Sequence, residues 1–559
     1  MTEPAVIATL TLVFLVAALL LVAATHYSLP VVPFYLVAGV VVGAFVDQPR
    51  LLELAQWGIV FLVFAFAIEV EPLYGTDIQQ DSVVAAVIQA AVTGGTTFGV
   101  GLLLGFDGLN AVFFAIASTL SSSLVALSLL ERRVRLRSLH ERLAESIHFV
   151  EDLLAIVVIL LLSAFVYTGG EWATVAGGVG LVVLALVIRR YLYDRVTALA
   201  TGDVEIMMLT GISLLIGFMG LAELVGVSVV VGAFAAGLAV ASEYPHDVET
   251  LDAIGYIEDF FAPIFFVTVG ALSTIPTVET LTISAVLLAA VVVINPLVTA
   301  LVLRWRGYDP RTALLAGYSL DQISEFTLII AIEALVVGLL APALFDAIVL
   351  TAIVTMLGSV ATERYADAGY EQLIETGLFE RYGAAVRIES RVDATLEDHV
   401  IVTGYDREGQ QVVAACEAIG HPYLVIESDP TRRETVRDHC ENYVFGDVMA
   451  TPIWRLARAE SATLIVATVA REAWAERILA LDIGVETILR ADDVESGAAL
   501  LEGGALFVAV PDLLAAENVV ELVTDLLDGE LSADELRQQG RSRIEQAVEY
   551  GPSDIRRIR

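Results

Sequence analysis

Two adjacent carboxylates, Glu151 and Asp152, lie in a long apolar stretch that reads HFVEDLLAIVVILLL. A charge placed in hydrocarbon is costly, so a carboxylate retained there is a candidate functional group. Such a carboxylate can exchange a proton for a cation, and both residues are predicted to bind an ion or a proton. The alternative is an interfacial pair that ends a helix. His148 shares a helix face with Asp152, and we expect it at the cytoplasmic interface rather than as a ligand.

Hydroxyl side chains crowd the preceding apolar stretch, which reads AIASTLSSSLVAL. Serine and threonine compete for backbone hydrogen bonds and so weaken a helix. An unwound stretch would offer carbonyl oxygens to a partly dehydrated cation. Ser122 and Ser123 are therefore candidate ion ligands, and ordinary packing between helices is the alternative.

Asp321 and Glu325 lie near the start of a later apolar stretch, GYSLDQISEFTLII. They are four residues apart and so share one helix face. Both are predicted to bind an ion or a proton, although either could instead cap a helix or pair with arginine. This stretch is seven apolar segments after the serine-rich one, and broken helices at matching positions of two halves point to a transport site. Glu69 and Glu333 are further intramembrane acids.

The segments that must position these residues form an apolar N-terminal region. The chain has 559 residues and is 57% hydrophobic, above the roughly 45–50% of globular proteins. Stretches of the length that crosses a hydrocarbon core recur. The pattern predicts an all-α polytopic membrane domain over residues 1–365. Thirteen apolar segments are predicted near 5–24, 30–46, 51–70, 82–105, 109–130, 146–167, 172–190, 204–222, 226–242, 260–274, 279–303, 312–336 and 343–361.

A weak internal repeat relates segments that are seven apart. Residues 30–39, PVVPFYLVAG, align with residues 228–237, SVVVGAFAAG, and the third segment pairs with the tenth. An odd spacing gives the two copies opposite topology, as in the inverted repeats of many secondary transporters.

Arginine in the short loops predicts the orientation. The loops after segments five, seven and eleven carry eleven arginines and fall on one side, whereas only Arg50 falls on the other. We therefore expect a multi-pass plasma-membrane protein with its N-terminus outside and its C-terminal region in the cytoplasm.

Charge and cysteine content exclude several classes of protein. The 68 acidic residues outnumber the 31 basic ones, all arginine, and the net charge of −37 excludes a nucleic-acid partner. An acidic, lysine-free composition is typical of halophiles, and arginine codon preference in a GC-rich genome is the alternative. Cys416 and Cys440 imply neither a disulfide framework nor a resident metal site.

After Arg364 the chain becomes soluble in character. Residues 366–396 are predicted to form a linker or short helices, residues 397–527 an α/β domain, and residues 528–559 a solvated helix with a frayed end. Six short apolar runs alternate with helix-length segments, which predicts a doubly wound parallel sheet. The runs are HVIVTGY, YLVIES, NYVFGD, TLIVATV, ETILRAD and ALFVAVPD.

The first of these runs leads into a Rossmann-like turn, from Gly404 to Gly409. Glu427 follows at the end of the second run, where such folds place an acid for a ribose hydroxyl, and Asp447 follows the third. Asp406 replaces the middle glycine, so an anionic side chain stands where a pyrophosphate should approach. No cofactor is therefore assigned. A regulatory or dimerising fold with a vestigial pocket is preferred, and a nucleotide or a nucleoside stays open as a ligand.

Several of these segments together resemble the second family of monovalent cation/proton antiporters, the Kef-like and Nap-like exchangers. The similar segments are LPVVPFYLVAGVVVGAF, FAFAIEVEP, TLSSSLVALSLLER, VEDLLAI, GVSVVVGAFAAGLAVAS and SEFTLII. Residues 397–527 resemble the nucleotide-binding lobe of a domain that regulates potassium conductance, the RCK domain.

The resemblance implies an elevator-like core, in which two discontinuous helices cross beside an essential aspartate, and a homodimer. It assigns the essential ion-binding role to Asp152, with Glu151 as its neighbour, Ser123 as the crossing-helix hydroxyl and Glu325 as a conserved-type glutamate. The chain departs from the family pattern at Asn295, where a lysine is often found, and Glu151 replaces the usual Gln, Asn or Asp.

The function expected from these features is secondary antiport of Na⁺ or K⁺ against H⁺ across the plasma membrane, and not an enzyme activity. Two alternatives are a membrane sensor of pH or salt that does not transport, and a cation channel gated by its RCK-like domain. The channel is disfavoured because the sequence has no selectivity-filter motif of the T-V-G-Y-G type.

Overall fold

The computed structural model separates into a helical unit, up to Gln372, and a second unit from Leu373 onwards, apart from two short loop segments. The residues it describes are 3–27, 29–45, 48–69, 77–130, 139–168, 172–193, 204–240, 248–375, 389–429, 432–446, 448–449, 451–469, 472–481, 483–529 and 531–549.

Long apolar helices build the helical unit, and two π-helical turns extend α8 over Arg189–Tyr193 and α12 over Ala290–Ile294. In chain order the helices are α1 (Glu3–His26), α2 (Val32–Gly43), α3 (Gln48–Glu69), α4 (Asp77–Leu103), α5 (Gly108–Thr119), α6 (Ser123–Leu130), α7 (Leu139–Thr168), α8 (Trp172–Ile188), α9 (Val204–Val225), α10 (Val229–Val240), α11 (Val248–Leu272), α12 (Val278–Ala289), α13 (Asn295–Arg306), α14 (Pro310–Tyr318), α15 (Glu325–Val336) and α16 (Pro342–Glu375).

Each of the thirteen predicted apolar segments coincides with a helix or with a consecutive pair of helices. Within the described ranges, seven helical stretches are long and apolar enough to cross a membrane, and five further apolar helices have only 10–17 residues. The all-α membrane architecture is confirmed. The number of crossings stays a prediction.

The helices pack in two groups, and each group contains matching helices from both halves of the predicted internal repeat. The scaffold group, α1–α3 with α8–α11, contains the close pairs α2–α11 and α3–α10. The crossing group, α4–α7 with α12–α16, contains the pairs α4–α5, α4–α7 and α4–α13. In the repeat, α2 corresponds to α10 and α3 to α11, so the contact of α2 with α11 is the counterpart of the contact of α10 with α3.

Glycine allows these paired contacts to be very close. A Cβ atom on Gly270 of α11 would lie 2.0 Å from the backbone oxygen of Leu36 on α2, and one on Gly237 of α10 would lie 2.4 Å from that of Phe64 on α3. No side chain fits at such distances. The two contacts therefore hold the scaffold group together backbone against backbone.

The second unit is a doubly wound sheet. Its strands are β1 (Ser390–Arg391), β2 (His399–Thr403), β3 (Tyr423–Glu427), β4 (Tyr443–Phe445), β5 (Ala462–Ala467), β6 (Glu486–Arg490) and β7 (Phe507–Ala509). Its helices are α17 (Arg407–Ile419), α18 (Arg433–His439), α19 (Thr451–Leu456), α20 (Glu472–Leu479), α21 (Val494–Glu502), α22 (Pro511–Asp528) and α23 (Ala533–Glu549).

Strands β2 to β7 coincide with the six predicted apolar runs and pair in parallel, in the order β4-β3-β2-β5-β6-β7. This is the strand order of dinucleotide-binding folds. β2 and β3 are buried along their whole length, which explains why they read as continuous apolar runs. The Rossmann-like prediction is confirmed.

The predicted linker, residues 366–396, is partly regular structure. Helix α16 continues to Glu375, because Ala, Glu, Gln and Leu at its polar end favour helix. β1 pairs antiparallel with β4 at the edge of the sheet. At the other end of the unit α23 is a helix, as predicted for the tail, and residues 550–559 lie outside the described ranges.

Gly270→Ala should lower the melting temperature of the detergent-purified chain, because the new methyl group would overlap the Leu36 carbonyl. The matched control is Gly217→Ala in α9, where a Cβ atom meets nothing within 4 Å. Alanine favours a helix over glycine by about 0.5–1 kcal/mol, so the control should keep or raise the melting temperature. Equal effects at both positions would contradict the close helix contact.

Candidate functional site: two broken helices and a buried carboxylate

The first helix break lies between α5 and α6. Helix α5 ends at Thr119, residues 120–122 are not helical, and α6 begins at Ser123. At the end of α5 the hydroxyls of Ser118 and Thr119 donate to the carbonyl of Ala115, at 2.8 and 3.1 Å. Such bonds back to the preceding turn compete with helix continuation. The predicted unwinding of the serine-rich segment is confirmed.

The second break lies between α14 and α15. Helix α14 ends at Tyr318 and α15 begins at Glu325, with Ser324 as the N-cap whose hydroxyl accepts from the Phe326 N–H at 3.0 Å. Serine is a favoured N-cap because its oxygen satisfies an amide that lacks a helical partner. The motif SEF thus begins a helix inside the apolar region.

The two breaks bond directly to each other. The Ser324 N–H donates to the Leu120 carbonyl at 3.1 Å, and the Gln322 amide donates to the Ser122 carbonyl at 3.2 Å. Backbone groups in a hydrocarbon region must find partners within the protein. Each break supplies partners for the other, so the predicted pair of crossing broken helices is confirmed.

Asp152 of α7 lies beside this crossing, with only 1% of its surface exposed. Neither carboxylate oxygen has a well-formed hydrogen bond from the residues that the structure describes, and the Ser123 hydroxyl also acts on this carboxylate. The charges that act on it most strongly are those of Glu325 and Glu151. A buried carboxylate in this setting requires compensation by a proton or by a cation.

Asp152 faces a cavity of about 140 Å³ between the two helix groups. A water molecule occupies about 30 Å³ of liquid, so the cavity has room for a monovalent cation with a few waters. The crossing group contributes all the polar side chains of the lining together with Leu124, Phe149, Phe326 and Ile329, whereas the scaffold group contributes only apolar ones. The polar lining residues are Ser123, Glu145, His148, Asp152 and Glu325, and the scaffold residues are Leu62, Val63, Phe66 and Phe265.

Ser123 and Glu325 bring the two broken helices together at this cavity. The Ser123 hydroxyl donates to Oε1 of Glu325 at 2.8 Å, and Oε2 has no partner among the described residues. Both therefore lie where the sequence predicted ion-binding groups. Ser122 is also buried and interacts with Glu325, but it does not line the cavity.

Glu151 points away from the cavity and into the first break. It accepts from the Ser121 N–H at 2.9 Å and from the Ser121 hydroxyl. The Glu151 side chain is fully buried and lies inside α7, so it does not end a helix. Glu151 therefore bonds to the unwound segment, whereas Asp152 lines the cavity.

His148 lies at the crossing of the two breaks, and its expected position at the cytoplasmic interface stays a prediction. The ring is 2% exposed and bridges the two breaks, with Nδ1 3.3 Å from the Ser121 hydroxyl and Nε2 3.2 Å from the Ser319 carbonyl. Helix α7 begins at Leu139, seven residues before the predicted segment. His148 therefore lies in the third turn of the helix and not near its start. The predicted segment also left out Glu145. This residue precedes His148 by three positions and Asp152 by seven, a spacing that could have indicated a shared helix face.

The remaining predicted acids lie elsewhere. Asp321 is buried in the second break and does not line the cavity. Glu333 accepts from the Ser228 hydroxyl at 3.1 Å and lies about two turns of α15 after Glu325. The side chain of Glu69 lies outside the described residues.

In the second unit, the two outer glycines of the Rossmann-like turn are explained by geometry. Gly404 has φ of 95°, which favours glycine. A Cβ atom on Gly409 would lie 2.1 Å from the Gly404 carbonyl. The turn therefore has the backbone of a dinucleotide-binding fold.

The polar groups of this turn do not fit a dinucleotide. The Asp406 carboxylate accepts from the Gly409 N–H at 2.9 Å and from the Thr468 hydroxyl at 3.2 Å, so it occupies the helix N-terminus that would bind a pyrophosphate. Glu427 accepts from the N–H groups of Tyr405, Ser428 and Asp429 at 2.7–2.8 Å. Neither acid is free to bind a nucleotide.

Burial raises the pKa of Glu427, although Arg432 and the backbone N–H groups oppose this shift. The Arg432 guanidinium lies 3.4 Å from the same carboxylate. Glu427 thus serves to join β2, β3 and the following loop. Asp447, the remaining predicted nucleotide contact, lies outside the described residues.

Comparison with known proteins agrees with this architecture. Residues 11–363 match the family described as sodium/hydrogen exchanger, transmembrane, and residues 400–511 match the TrkA-N domain. The chain therefore belongs to the sodium/hydrogen exchanger family, whose members are membrane transporters of monovalent cations and protons.

Two curated relatives span most of the chain. The putative cation/proton antiporter YbaL of Escherichia coli strain K12 is 29% identical over 532 residues, which are 89% of this chain and 93% of the relative. The glutathione-regulated potassium-efflux system protein KefC of Salmonella schwarzengrund strain CVM19633 is 26% identical over 471 residues, 80% of this chain and 73% of the relative.

Two solved structures are also similar. The TrkA-N domain of the E. coli inner membrane protein ybaL is 27% identical and covers 23% of this chain and 98% of its own, with a TM-score of 0.22. The sodium/proton antiporter MjNhaP1 of Methanocaldococcus jannaschii is 15% identical and covers 66% of this chain and 98% of its own, with a TM-score of 0.46.

Asp406→Gly should create affinity for adenine nucleotides, because it removes the carboxylate at the N-terminus of α17. Glycine is itself a tolerated N-cap and costs only a few tenths of a kcal/mol there, so the domain should stay folded. AMP, ADP and NADH would be titrated against the full-length wild type and the variant by calorimetry. Nucleotide binding by the wild type that matches the variant would contradict the occupied site.

Proposed function

We propose that the chain exchanges Na⁺ or K⁺ for H⁺ and that Asp152 is the group on which the two ions compete. The observation that supports this most directly is the buried Asp152 carboxylate, which faces a cavity beside the Ser123 hydroxyl and the Glu325 carboxylate. A proton or a monovalent cation would neutralise it, and one carboxylate binds only one of them at a time.

The neighbouring residues have supporting roles in this proposal. Glu325 and Ser123 present oxygen ligands from the two broken helices to the same cavity. Ser122 and Glu151 hold the first break in its unwound form. Asp321 lies in the second break and would act on the ion through its charge rather than by contact.

The cation is proposed to be monovalent because residues 11–363 match a family that is described as a sodium/hydrogen exchanger. Two named relatives support this choice, since YbaL is a putative cation/proton antiporter and KefC a potassium-efflux protein. Carboxylate, hydroxyl and water oxygens suit Na⁺ and K⁺ alike, so both ions are candidates.

Alternating access would follow from movement of the crossing group along the scaffold group. The scaffold wall of the cavity is formed by Leu62, Val63, Phe66 and Phe265. A wall without polar groups makes no hydrogen bonds that must break when the opposite wall slides past. The ion would remain on the polar wall throughout the movement.

We also propose that the N-terminus is outside and the second unit cytoplasmic. Arg189 and Arg190 end the α8 helix, and Arg304 and Arg306 end α13. Four predicted crossings separate these two helix ends, which supports a position on the same side of the membrane, and arginine in short loops favours the cytoplasmic side.

Proteoliposomes with an internal pH dye would test the exchange. External Na⁺ or K⁺ should drive proton movement in the wild type, and Asp152→Asn should abolish it, because an amide binds neither a proton nor a cation by charge. Asp107→Asn is the matched control: Asp107 is the exposed N-cap of α5, and asparagine caps equally well.

The outcomes distinguish the proposed antiporter from a different ion site, from a sensor and from a channel. Flux that survives Asp152→Asn would move the ion site, with Glu325 tested next. Absence of flux with either ion in the wild type would contradict the proposal and favour a sensor. Single-molecule currents far above transporter rates would favour a channel.

A homodimer is proposed from the exposed face of α22. This helix has no buried residue, and a line of apolar side chains runs along it at spacings of three and four residues. We call this line the α22 stripe, and its members are Leu513, Ala516, Val520, Val523 and Leu527. Such spacing is typical of a helix that pairs with a second helix, and a second copy of the chain supplies one.

Val520→Glu with Val523→Glu should convert the dimer to a monomer, because two carboxylates would be buried in the α22 stripe. The full-length chain in detergent would be measured by light scattering after size-exclusion chromatography. Asn518→Glu, on the opposite face of the helix, is the matched control and should remain dimeric. A wild-type monomer, or a dimer unaffected by the double substitution, would contradict this interface.

A further inference from the structure

Two amide side chains meet at the crossing on its buried side, away from the cavity. Gln89 of α4 and Asn295 at the start of α13 are 0% and 1% exposed. The Gln89 amide nitrogen donates to the Thr119 carbonyl at 3.0 Å and also to the Asn295 side-chain oxygen. The Asn295 nitrogen donates to the Leu320 carbonyl at 3.1 Å.

These bonds form one directional chain between the two broken helices. Thr119 is the last residue of α5, and Leu320 lies in the turn that follows α14. The Gln89 side-chain nitrogen donates both of its N–H groups. The Asn295 side-chain oxygen accepts one of them, and the Asn295 side-chain nitrogen donates to Leu320. A carboxylate, a hydroxyl or an alkyl group at either position could not complete the chain.

The carbonyls at these two helix ends need partners from outside their own helices. The last carbonyls of a helix lack intrahelical donors and carry the negative end of its dipole. Water is scarce in this buried region, and an unpaired carbonyl would cost about 1–3 kcal/mol. Gln89 and Asn295 satisfy one carbonyl in each half of the repeat.

The position of the pair in the repeat supports a common role. Helix α4 corresponds to α12 and α13, just as the broken pair α5–α6 corresponds to α14–α15. Each amide therefore serves the broken helix of its own half and bonds to the amide of the other half. In the sequence, Asn295 stands out only because it replaces a lysine, and Gln89 does not stand out, because it is an isolated amide in the apolar part of α4.

We propose that the Gln89–Asn295 pair is a positioning device that fastens the two broken helices into one body, so that the ion-binding groups of both move together. This role rests on the proposed exchange of cation for proton. Neither amide lines the cavity that contains Asp152 and Glu325. Both act through the helix ends that they hold, and the pair should control the rate of transport rather than the affinity for the ion.

Gln89→Leu, Asn295→Leu and the double variant would test the pair in two independent measurements. Melting temperatures of the purified full-length chain should fall for each single variant. The fall for the double variant should be smaller than the sum, because each single variant also strands the partner amide. Thr93→Val is the matched control: its buried hydroxyl, one turn from Gln89, has no partner among the described residues, so little change is expected.

Cation-driven proton flux supplies the second measurement. The leucine variants should lower the maximal rate at least tenfold and leave the KM for Na⁺ or K⁺ within about twofold. A large change of KM at an unchanged maximal rate would place the amides at the ion site and overturn the proposal. Additive melting-temperature losses with normal flux would overturn it as well.

A more conservative variant keeps the proposal testable if the leucine variants do not fold. Asn295→Asp keeps the shape of the side chain and, once ionised, lacks the donor to Leu320, so its maximal rate should fall as the pH rises. A maximal rate equal to that of the wild type at every pH would contradict the role of the pair. Failure of the wild type to transport would contradict the proposed exchange, while the melting-temperature comparison would still test the amide pair.

Discussion

Mutual hydrogen bonding of two interrupted helices is the interaction on which the membrane unit depends. Breaking a helix inside hydrocarbon exposes carbonyl and amide groups that have no water to bind. The chain resolves this by crossing the two breaks, so that Ser324 donates to Leu120 and Gln322 to Ser122. Once the breaks are fixed, Ser123 and Glu325 are placed side by side, and α7 positions Asp152 against them.

The polarity of the two cavity walls follows from this arrangement. All the groups that could bind an ion belong to helices of the crossing group, whereas the scaffold group is joined by close backbone contacts at Gly237 and Gly270. A rigid apolar scaffold and a polar, cross-bonded partner are the physical requirements for one body to move against another. Each half of the repeat contributes helices to the scaffold group and helices to the crossing group.

Local composition predicted much of this structure. Clustered hydroxyls indicated the first break, the matching position seven apolar segments later indicated the second, and six apolar runs indicated strands β2 to β7. The burial of His148 and the bonds of Gln89 could not be predicted, because their partners lie 27 to 206 residues away along the chain. A single polar residue in an apolar helix carries no local signal of the helix end that it serves.

The carboxylate at the N-terminus of α17 has a consequence for what the exchanger responds to. In a Rossmann fold that position is where the phosphates of a soluble metabolite would bind. Here Asp406 accepts hydrogen bonds from Gly409 and Thr468 at that position. A phosphate would reach the N-terminus of α17 only by displacing this carboxylate, so a metabolite that acted through the turn would have to compete with Asp406.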